Sequence, residues 1–297
     1  MSILSDKEYI RNKRVKFFTR SFDLKLYRYS CGLYNGLSDI PIVRLTDQSA
    51  DGYFFTMLAD TECDIAINVD EDAFIVNIEA VLELANLVVE KGYANAGCPD
   101  GGGYCPRSGN PIVTNPFFNI FNLELIRTKF SKGDVKSVHY PDVKKRLIAN
   151  FPPERLITNY DFDRYEYEPY YQFFIWLAAN FNTLYLPSKR HSDGISTILL
   201  DNNGNDLCMH SWFARFYNMP TILVKLIQSD RGRQKQRIDR LIHEAYSIRN
   251  TPLPDFNLFD YLQFFSNSVI RWIIKVPQRI SRWPYKLKRK LAARKNK

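Results

Sequence analysis

The sequence predicts an α/β protein: a single domain with a mostly parallel central sheet flanked by helices, followed by a basic helical tail. Short β-branched runs alternate with helical stretches between residues 14 and 110, which is typical of parallel strands joined by helices. The apolar fraction of 45% is ordinary for a globular protein and is enough for a sizeable core. Positive charge collects near the carboxyl end, which distinguishes the tail from the rest.

The first half of the chain alternates strictly between the two kinds of element. The predicted strands are Val15–Arg20, Ile40–Leu45 and Asp64–Val69. The predicted helices are Leu24–Leu33, Gly52–Asp60 and Ile75–Lys91, the last with the apolar face Ile78, Val81, Leu82, Leu84, Leu87 and Val88. Sheets built in this way bind ligands at the carboxyl ends of their strands.

The second half is less regular and ends in helices. The predicted elements are a helix at Tyr170–Asn180, short strands at Thr183–Pro187, Ile195–Leu200 and Leu207–His210, and a helix over 221–249. The prolines of Thr251-Pro-Leu-Pro254 end that helix. The chain therefore divides into a main domain of residues 1–220, a helical extension of residues 221–255 and a tail of residues 256–297.

The tail combines an apolar stripe with a run of basic residues. Its apolar residues at helical spacing are Leu262, Phe265, Val269, Trp272, Ile273 and Val276. Of the net charge of +9, residues 271–297 carry +11 with no acidic residue, which leaves −2 for residues 1–270. This pattern is typical of a helix that lies on an anionic membrane surface; the alternative is a stripe packed on the main domain. A nearly neutral main domain argues against nucleic acid as a partner.

Signals for export or for spanning a membrane are missing from the sequence. The amino terminus lacks the basic-then-apolar pattern of a signal peptide, and no apolar run approaches the ~20 residues of a spanning helix. The five cysteines form no recognisable zinc or disulfide spacing. We therefore expect a cytoplasmic protein, peripheral at the inner face of the cell membrane.

Three consecutive carboxylates, Asp70-Glu71-Asp72, follow directly on the apolar strand that ends at Val69. Acidic side chains repel one another, so clustering them at the end of a buried strand costs free energy unless a cation neutralises them. Magnesium and manganese ions prefer carboxylate oxygens and keep coordination positions for phosphate. The alternative is a surface turn or a helix N-cap after the strand.

With this motif the sequence resembles the GT-A class of glycosyltransferases, whose signature is an apolar strand that ends in Asp-x-Asp. The resemblance implies a GT-A-like fold over most of residues 14–217 and a nucleotide-sugar donor held through Mn²⁺ or Mg²⁺. It implies that Asp70 and Asp72 bind the metal. It also implies that Asp70 and Glu71 contact the donor.

Two further segments gain candidate roles from the resemblance. In such enzymes the loop after the first strand contacts the nucleotide, which implicates Thr19, Arg20 and Asp23; solvation of a polar loop is the alternative. Several of these families bring a late histidine to the metal, and His210 fits that position, although a lone histidine is commonly a core or surface residue. Arg215 is a candidate for pairing with the diphosphate, or else it faces solvent.

An acidic loop before the Tyr170–Asn180 helix supplies candidates for a catalytic base. In inverting GT-A enzymes a carboxylate at the start of a helix deprotonates the attacking hydroxyl, and Glu168 matches that position, followed by Glu166 and Asp163. Asp193, in a later turn, is the alternative base. For each of them the competing interpretation is an exposed acid that stabilises a helix dipole.

The predicted activity is transfer of a sugar from a nucleoside-diphosphate donor, with UDP as the favoured nucleotide, to a hydroxyl of a lipid-linked or polysaccharide acceptor. The resemblance and the tail together imply cell-surface glycan synthesis, such as O-antigen, lipopolysaccharide core or capsule. One alternative is a metal-dependent nucleotidyltransferase or other phosphoryl-transfer enzyme, which also collects carboxylates. The other is a non-catalytic scaffold at the membrane surface.

Overall fold

The computed structural model shows a mixed α/β fold with a mostly parallel central sheet flanked by helices, which confirms the predicted fold class. It describes residue 4 and residues 6–37, 39–46, 48–49, 52–103, 107–157, 159–166, 168–214, 217 and 230–270. The strands are β1 (Val15–Arg20), β2 (Ile42–Leu45), β3 (Ile65–Val69), β4 (Ala73–Ile75), β5 (Tyr93–Pro99), β6 (Thr114–Asn122), β7 (Asn182–Tyr185), β8 (Ser188–Arg190), β9 (Thr197–Leu200) and β10 (Asp206–His210). The helices are α1 (Leu24–Gly32), α2 (Gly52–Ala59), α3 (Ile78–Glu90), α4 (Leu123–Arg127), α5 (Lys132–Ser137), α6 (Tyr140–Asn150), α7 (Tyr171–Asn180), α8 (Asp230–Ile248) and the outer helix over 258–270.

The central sheet has six strands in the order β2-β1-β3-β6-β5-β7. Strands β1, β2 and β3 run parallel to one another, and so do β5 and β7. Strand β6 runs antiparallel between β3 and β5. Strand β3 is therefore paired on both sides, and all five of its residues are buried.

Both faces of the sheet are covered by apolar side chains. Neighbouring residues of β1 point to opposite faces, so Phe17 joins one core cluster and Phe18 joins the other. The first cluster includes α3 and part of α8, and the second contains α2 and the aromatic helix α7. Burial on two faces explains why β3 reads as a nearly continuous apolar run rather than as an alternating one.

A smaller antiparallel sheet, in the order β4-β10-β9-β8, places the end of β10 beside the acidic triplet. His210 pairs with Ala73 across β10 and β4. The Ser211 backbone N–H donates to the Asp72 carbonyl over 2.9 Å. These backbone contacts bring His210 and Asp72 together although they lie far apart in the sequence.

Two helices near the end of the described chain pack on α1 or on the core. The apolar face of α8 (Ile238, Leu241, Ile242, Ala245 and Tyr246) is buried in the first core cluster. The outer helix packs on α1 through polar contacts, among them an ion pair between Asp260 and Arg28. None of the helices in the described part of the chain combines the length and apolar content needed to span a membrane. The predicted boundary at residue 220 and the basic segment 271–297 lie outside the described residues.

The structure corrects several predicted elements. The helix predicted at Ile75–Lys91 begins only at Ile78, where the Asn77 side chain caps it by accepting the Ala80 N–H, and a short strand comes before it. Strands β5, β6 and β8 and the short helices α4 to α6 were not predicted. Asparagine, glycine and proline in β5 and β6 hide the strand pattern, because their propensity for strands is low.

Candidate functional site

A cavity of about 360 Å³ opens where β3 ends, at the carboxyl edge of the parallel strands. Six residues singled out in the sequence line it: Arg20, Asp70, Glu71, Asp72, Glu168 and His210. Residues that sequence reasoning did not single out complete the wall: Phe22, Arg107, Asn115, Pro116, Tyr170, Trp212, Phe213 and Ala214. The cavity therefore combines carboxylates, two arginines and aromatic rings.

Asp70 is a buried carboxylate with one unsatisfied oxygen. Its Oδ2 lies 3.6 Å from Nη2 of Arg20, whereas its Oδ1 has no hydrogen-bond partner. The pKa of Asp70 is raised to about 6, mainly by burial and also by the neighbouring Asp72. The charge of Arg20 offsets part of this rise. A buried oxygen without a donor costs free energy unless a cation or a proton satisfies it.

Asp72 and His210 face each other across the cavity wall. Oδ2 of Asp72 lies 3.4 Å from Nε2 of His210. The imidazole is fixed by stacking on Phe117, with ring centroids 4.3 Å apart, and its Nδ1 is buried without a partner. Burial alone would raise the pKa of Asp72, but the charge and hydrogen bond of His210 hold that pKa below its ordinary value. Asp72 therefore stays ionised.

Glu71 connects the acidic triplet to the loop between β1 and α1. Its Oε2 accepts hydrogen bonds from the Ser21 hydroxyl over 3.0 Å, from the Phe22 N–H over 2.7 Å and from the Asp23 N–H over 2.5 Å. A carboxylate that accepts several N–H and O–H groups is well satisfied even when it is buried. Glu71 thereby fixes the loop that carries Phe22 to the cavity.

Arg107 reaches the cavity from a buried hydrogen-bond network around Asp100. Asp100, with no exposed surface, accepts from Arg107 Nη2 over 3.1 Å and from the Tyr171 hydroxyl over 2.5 Å. Arg107 also donates to the Tyr170 hydroxyl over 2.8 Å and lies 3.5 Å from the Glu168 carboxylate. This network holds the guanidinium of Arg107 and the carboxylate of Glu168 at the wall of the cavity.

Of the remaining sequence candidates, those that the structure describes do not line this cavity. Thr19 is buried and shares a hydrogen bond with Tyr34. Asp23 caps α1 by accepting the N–H groups of residues 25 and 26. Asp163 is exposed and pairs with Lys144, and Glu166 is exposed. Asp193 lines a separate cavity, and Arg215 lies outside the described residues.

A signal for Asp100 appears only once strand β5, which the sequence did not predict, is known. Asp100 follows β5 directly, as Asp70 follows β3, and both strand ends lie near the same cavity. The rule that polar residues after sheet strands approach a common edge applies to it as well. Trp212 gave no such signal, because its place depends on a backbone with a φ of 58°.

The cavity has two features that suit a divalent cation, although its described side chains do not form a closed metal site. Within the described residues no group of three or more His, Cys, Asp or Glu side chains is arranged to hold a metal ion as it stands. Two features nevertheless suit a cation: the unpartnered Oδ1 of Asp70, and the 3.4 Å between Asp72 and His210, which allows both atoms to contact one ion. The donor set of two carboxylates and one imidazole suits Mn²⁺ or Mg²⁺.

Comparisons with known proteins leave the family open. No family model matches the sequence, and no curated protein matches it. The solved structures that resemble it include the mannosyltransferase PcManGT from Pyrobaculum calidifontis in complex with GDP-Man and Mn²⁺, at 12% identity and a TM-score of 0.31, covering 50% of this chain and 55% of that one. Another is A197 from STIV, at 13% identity and a TM-score of 0.30, covering 65% of this chain and 93% of that one. Likenesses of this size establish neither a family nor an activity.

Proposed function

We propose that the protein is a metal-dependent glycosyltransferase that moves a sugar from a nucleoside-diphosphate donor to a hydroxyl group of an acceptor. One observation carries the proposal: Asp70, Asp72 and His210 converge on a cavity at the end of a central strand, and two arginines, Arg20 and Arg107, line the same cavity. Carboxylates suited to a cation beside guanidinium groups suited to phosphate are complementary to a metal-bound diphosphate.

Mn²⁺ or Mg²⁺ bound by Asp70, Asp72 and His210 would stabilise the negative charge of a leaving nucleoside diphosphate. Arg20 is fixed over the rings of Phe22 and Tyr53, 5.7 Å and 5.2 Å from their centroids. It can therefore place a fixed positive charge on the diphosphate without further ordering. UDP remains the favoured nucleotide.

Glu168 is the proposed general base. It lines the cavity, it is partly exposed, and Arg107 holds its carboxylate at 3.5 Å. A base must reach the attacking hydroxyl in a bound acceptor. Among the four carboxylates proposed for this role, Glu168 alone lines the cavity that contains Asp70 and Asp72.

The outer helix supports a membrane surface as the place of action. Its inner face contacts α1 through polar groups: Gln263 accepts from Arg28 over 2.7 Å, and Asn267 accepts the Leu24 N–H over 3.2 Å. Its opposite face exposes large apolar residues: Leu258, Phe259, Tyr261, Leu262, Phe265, Val269 and Ile270.

The outer helix buries Phe264 against Arg28 of α1 but leaves these seven large apolar residues exposed, whereas an ordinary surface helix buries most of its apolar residues. The basic segment 271–297 follows directly in the sequence. An apolar face beside positive charge suits the anionic inner face of a cell membrane. The proposed acceptor is accordingly a lipid-linked or polysaccharide glycan of the cell surface, such as O-antigen, lipopolysaccharide core or capsule.

The proposed activity is tested by donor hydrolysis with and without metal. Wild-type protein and Asp72→Asn are incubated with UDP-sugars and GDP-sugars, with Mn²⁺ or with EDTA, and release of the nucleoside diphosphate is measured. We expect release only with metal, and a loss of roughly 100-fold or more in the variant, because the change removes a charged ligand of the cation.

Other outcomes distinguish the competing functions. Release of pyrophosphate instead of a nucleoside diphosphate, from a nucleoside triphosphate and a sugar phosphate, would identify a nucleotidyltransferase. Failure of any nucleotide to bind in the presence of Mn²⁺ would favour a non-catalytic scaffold. Hydrolysis that is equal in EDTA and in Mn²⁺ would contradict the proposed role of Asp72.

A further inference from the structure

A second cavity, of about 630 Å³, lies between α8 and the turn that follows β8. We name it the arginine cleft because Arg233, Arg237 and Arg240 line it. Residues four and three apart lie on one face of a helix, so these three side chains project from α8 toward the same space. The opposite wall is formed by the turn that contains His191 and Asp193.

The positive charge of Arg237 is neutralised by a partner within the protein. It is buried, with 5% of its surface exposed, and its guanidinium donates to Asp193 Oδ2 over 3.2 Å and to the Ser196 hydroxyl over 2.5 Å. Asp193 also accepts the N–H groups of Ile195 and Ser196. The charges of Arg237 and Asp193 therefore compensate each other.

The other acidic residue of the cleft is engaged as well. Oε2 of Glu244 lies 3.0 Å from Nε2 of His191. Arg233 and Arg240, in contrast, are exposed, and neither forms an ion pair with another described residue. The cleft is lined by three arginines and two carboxylates, so its lining carries one excess positive charge with neutral His191, and two of its guanidinium groups have no ion-pair partner among the described residues.

The arginine cleft shares a wall with the cavity that contains Asp70 and Asp72, which we call the acidic cavity. Nη2 of Arg237 donates to the carbonyl groups of Ser211, over 2.5 Å, and of Trp212, over 3.2 Å. Trp212 itself lines the acidic cavity. The segment that contains Ser211, Trp212 and Phe213, the last two with positive φ, therefore lies between the two cavities. A ligand held in the cleft would therefore lie next to the place where the donor is proposed to bind.

We propose that the arginine cleft binds a phosphate or diphosphate group of the acceptor, an inference that rests on the proposed function. Guanidinium groups bind phosphate oxygens through paired N–H donors, and two of them seven residues apart on a helix can hold an extended anion. The acidic cavity, by contrast, repels an anion unless a metal is bound. The two sites thus differ in their dependence on metal.

Pyrophosphate binding in EDTA tests the cleft without the donor site. Titration calorimetry compares wild type with Arg233→Gln/Arg240→Gln and with the matched control Lys91→Gln/Lys235→Gln, which also removes two exposed positive charges. Lys235 is on α8 but pairs with Asp239 and does not line the cleft. We expect the dissociation constant to rise at least about ten-fold in the arginine variant and to change less than about two-fold in the control.

Two results would overturn the inference: absence of pyrophosphate binding in EDTA, or an equal loss in both double variants. Binding that is kept in the arginine variant and becomes tighter in Asp72→Asn would also overturn it, because the anion would then occupy the acidic cavity, where Asp72 repels it. A prenyl diphosphate is titrated in parallel. Tighter binding than pyrophosphate identifies a lipid-borne ligand, and equal binding identifies a soluble phosphate ester; both support the cleft.

Donor hydrolysis in the same variants keeps the two proposals separate. The arginine variant should retain metal-dependent release of the nucleoside diphosphate, since Arg233 and Arg240 do not line the acidic cavity. If pyrophosphate binds as expected but no sugar nucleotide is hydrolysed, the proposed function fails and the cleft stands as an anion site. If hydrolysis is metal-dependent but pyrophosphate does not bind, the cleft assignment alone fails.

Discussion

Three adjacent carboxylates have three different surroundings in this protein. Asp70 has a buried oxygen without a partner, Glu71 accepts three hydrogen bonds from the β1–α1 loop, and Asp72 faces His210. The difference follows from the end of β3, where side chains of consecutive residues point in different directions. Only Asp70 and Asp72 therefore remain available for a cation, and Glu71 fixes the loop beside them.

Glu168 and Glu166 form a natural pair for testing the proposed base. Glu168 lines the cavity beside Arg107, whereas Glu166 is exposed and outside it. We expect Glu168→Gln to lower kcat for sugar transfer by roughly 100-fold with little change in donor affinity, because general-base catalysis contributes about 10²–10⁴-fold. Glu166→Gln should transfer sugar at the wild-type rate. Equal rates for the two variants would remove Glu168 as the base.

At the scale of elements, the predicted strands and helices were those whose side chains are apolar and regularly spaced. Strand β3 is buried on both faces and reads as an apolar run with one asparagine, and β1 contributes the adjacent phenylalanines Phe17 and Phe18 to the two core clusters. Strand β6 is buried as well, but it contains polar side chains that are satisfied by Thr114 and by the neighbouring strand: Asn119 accepts from Thr114 over 2.6 Å, and Asn95 of β5 donates to Thr114 over 3.1 Å. Such a polar ladder exists only after two strands have paired, so a single segment gives no sign of it.

The residues of the candidate site show the same contrast between local sequence signals and long-range contacts. The sequence candidates that line the cavity lie at the end of a predicted strand, as His210 does, just after one, as Asp70 and Asp72 do, or shortly before a predicted helix, as Glu168 does. Arg107 was missed because Asp100 and Tyr170 position it, and these contacts join segments that are distant in the sequence. Propensity and spacing carry no information about such contacts.

The outer helix gives a prediction about membrane binding. Leu262 and Phe265 are 58% and 70% exposed on its apolar face. We expect Leu262→Ser/Phe265→Ser to weaken binding to phosphatidylglycerol vesicles by at least about ten-fold, because each buried apolar side chain contributes ~1.5–3 kcal/mol. Co-sedimentation with vesicles measures the bound fraction.

The matched control replaces exposed apolar residues elsewhere. Tyr160 and Ile248 are 46% and 52% exposed and lie outside the outer helix. Tyr160→Ser/Ile248→Ser should bind vesicles like the wild type. An equal loss in both pairs, or no loss in either, would mean that the apolar face does not contact lipid.

The turn before β9 gives a prediction about pH. Burial would raise the pKa of Asp193, but hydrogen bonds from Ser196, Ile195 and Arg237 lower it to about 2, below its ordinary 3.8. Because the folded pKa lies below the unfolded one, the stabilisation is complete above about pH 4 and is lost as pH falls through about 2. Asp193→Asn should lower the free energy of unfolding at pH 7 by roughly 1–3 kcal/mol, the range for charged hydrogen bonds.

Urea unfolding at pH 3, 4, 5 and 7 measures that difference. The gap between wild type and Asp193→Asn should stay constant from pH 7 to 5 and narrow toward pH 3. A gap that does not depend on pH would show that the carboxylate charge is not what stabilises the turn.

At the scale of the whole molecule, the site is built at the expense of stability. The central sheet and its two core clusters are largely apolar, and the acidic triplet follows a strand whose residues are all buried. Mutual repulsion of Asp70 and Asp72 and the unsatisfied Oδ1 of Asp70 oppose folding. The rest of the fold must offset this cost when no cation is bound.

This balance predicts that Asp70→Asn stabilises the metal-free protein. The change removes one buried negative charge, while Arg20 keeps its contacts with the rings of Phe22 and Tyr53. In EDTA we expect the melting temperature to rise by roughly 2–6 °C, since burial and Asp72 disfavour the charge and raise the pKa of Asp70 to about 6, and each pKa unit corresponds to ~1.4 kcal/mol. The control is Asp142→Asn, which replaces an exposed carboxylate and should melt like the wild type.

Manganese should raise the melting temperature of the wild type by mass action and that of Asp70→Asn much less. A lower melting temperature for Asp70→Asn in EDTA would mean that Arg20 alone satisfies this carboxylate, and the reason for placing a cation beside it would be lost.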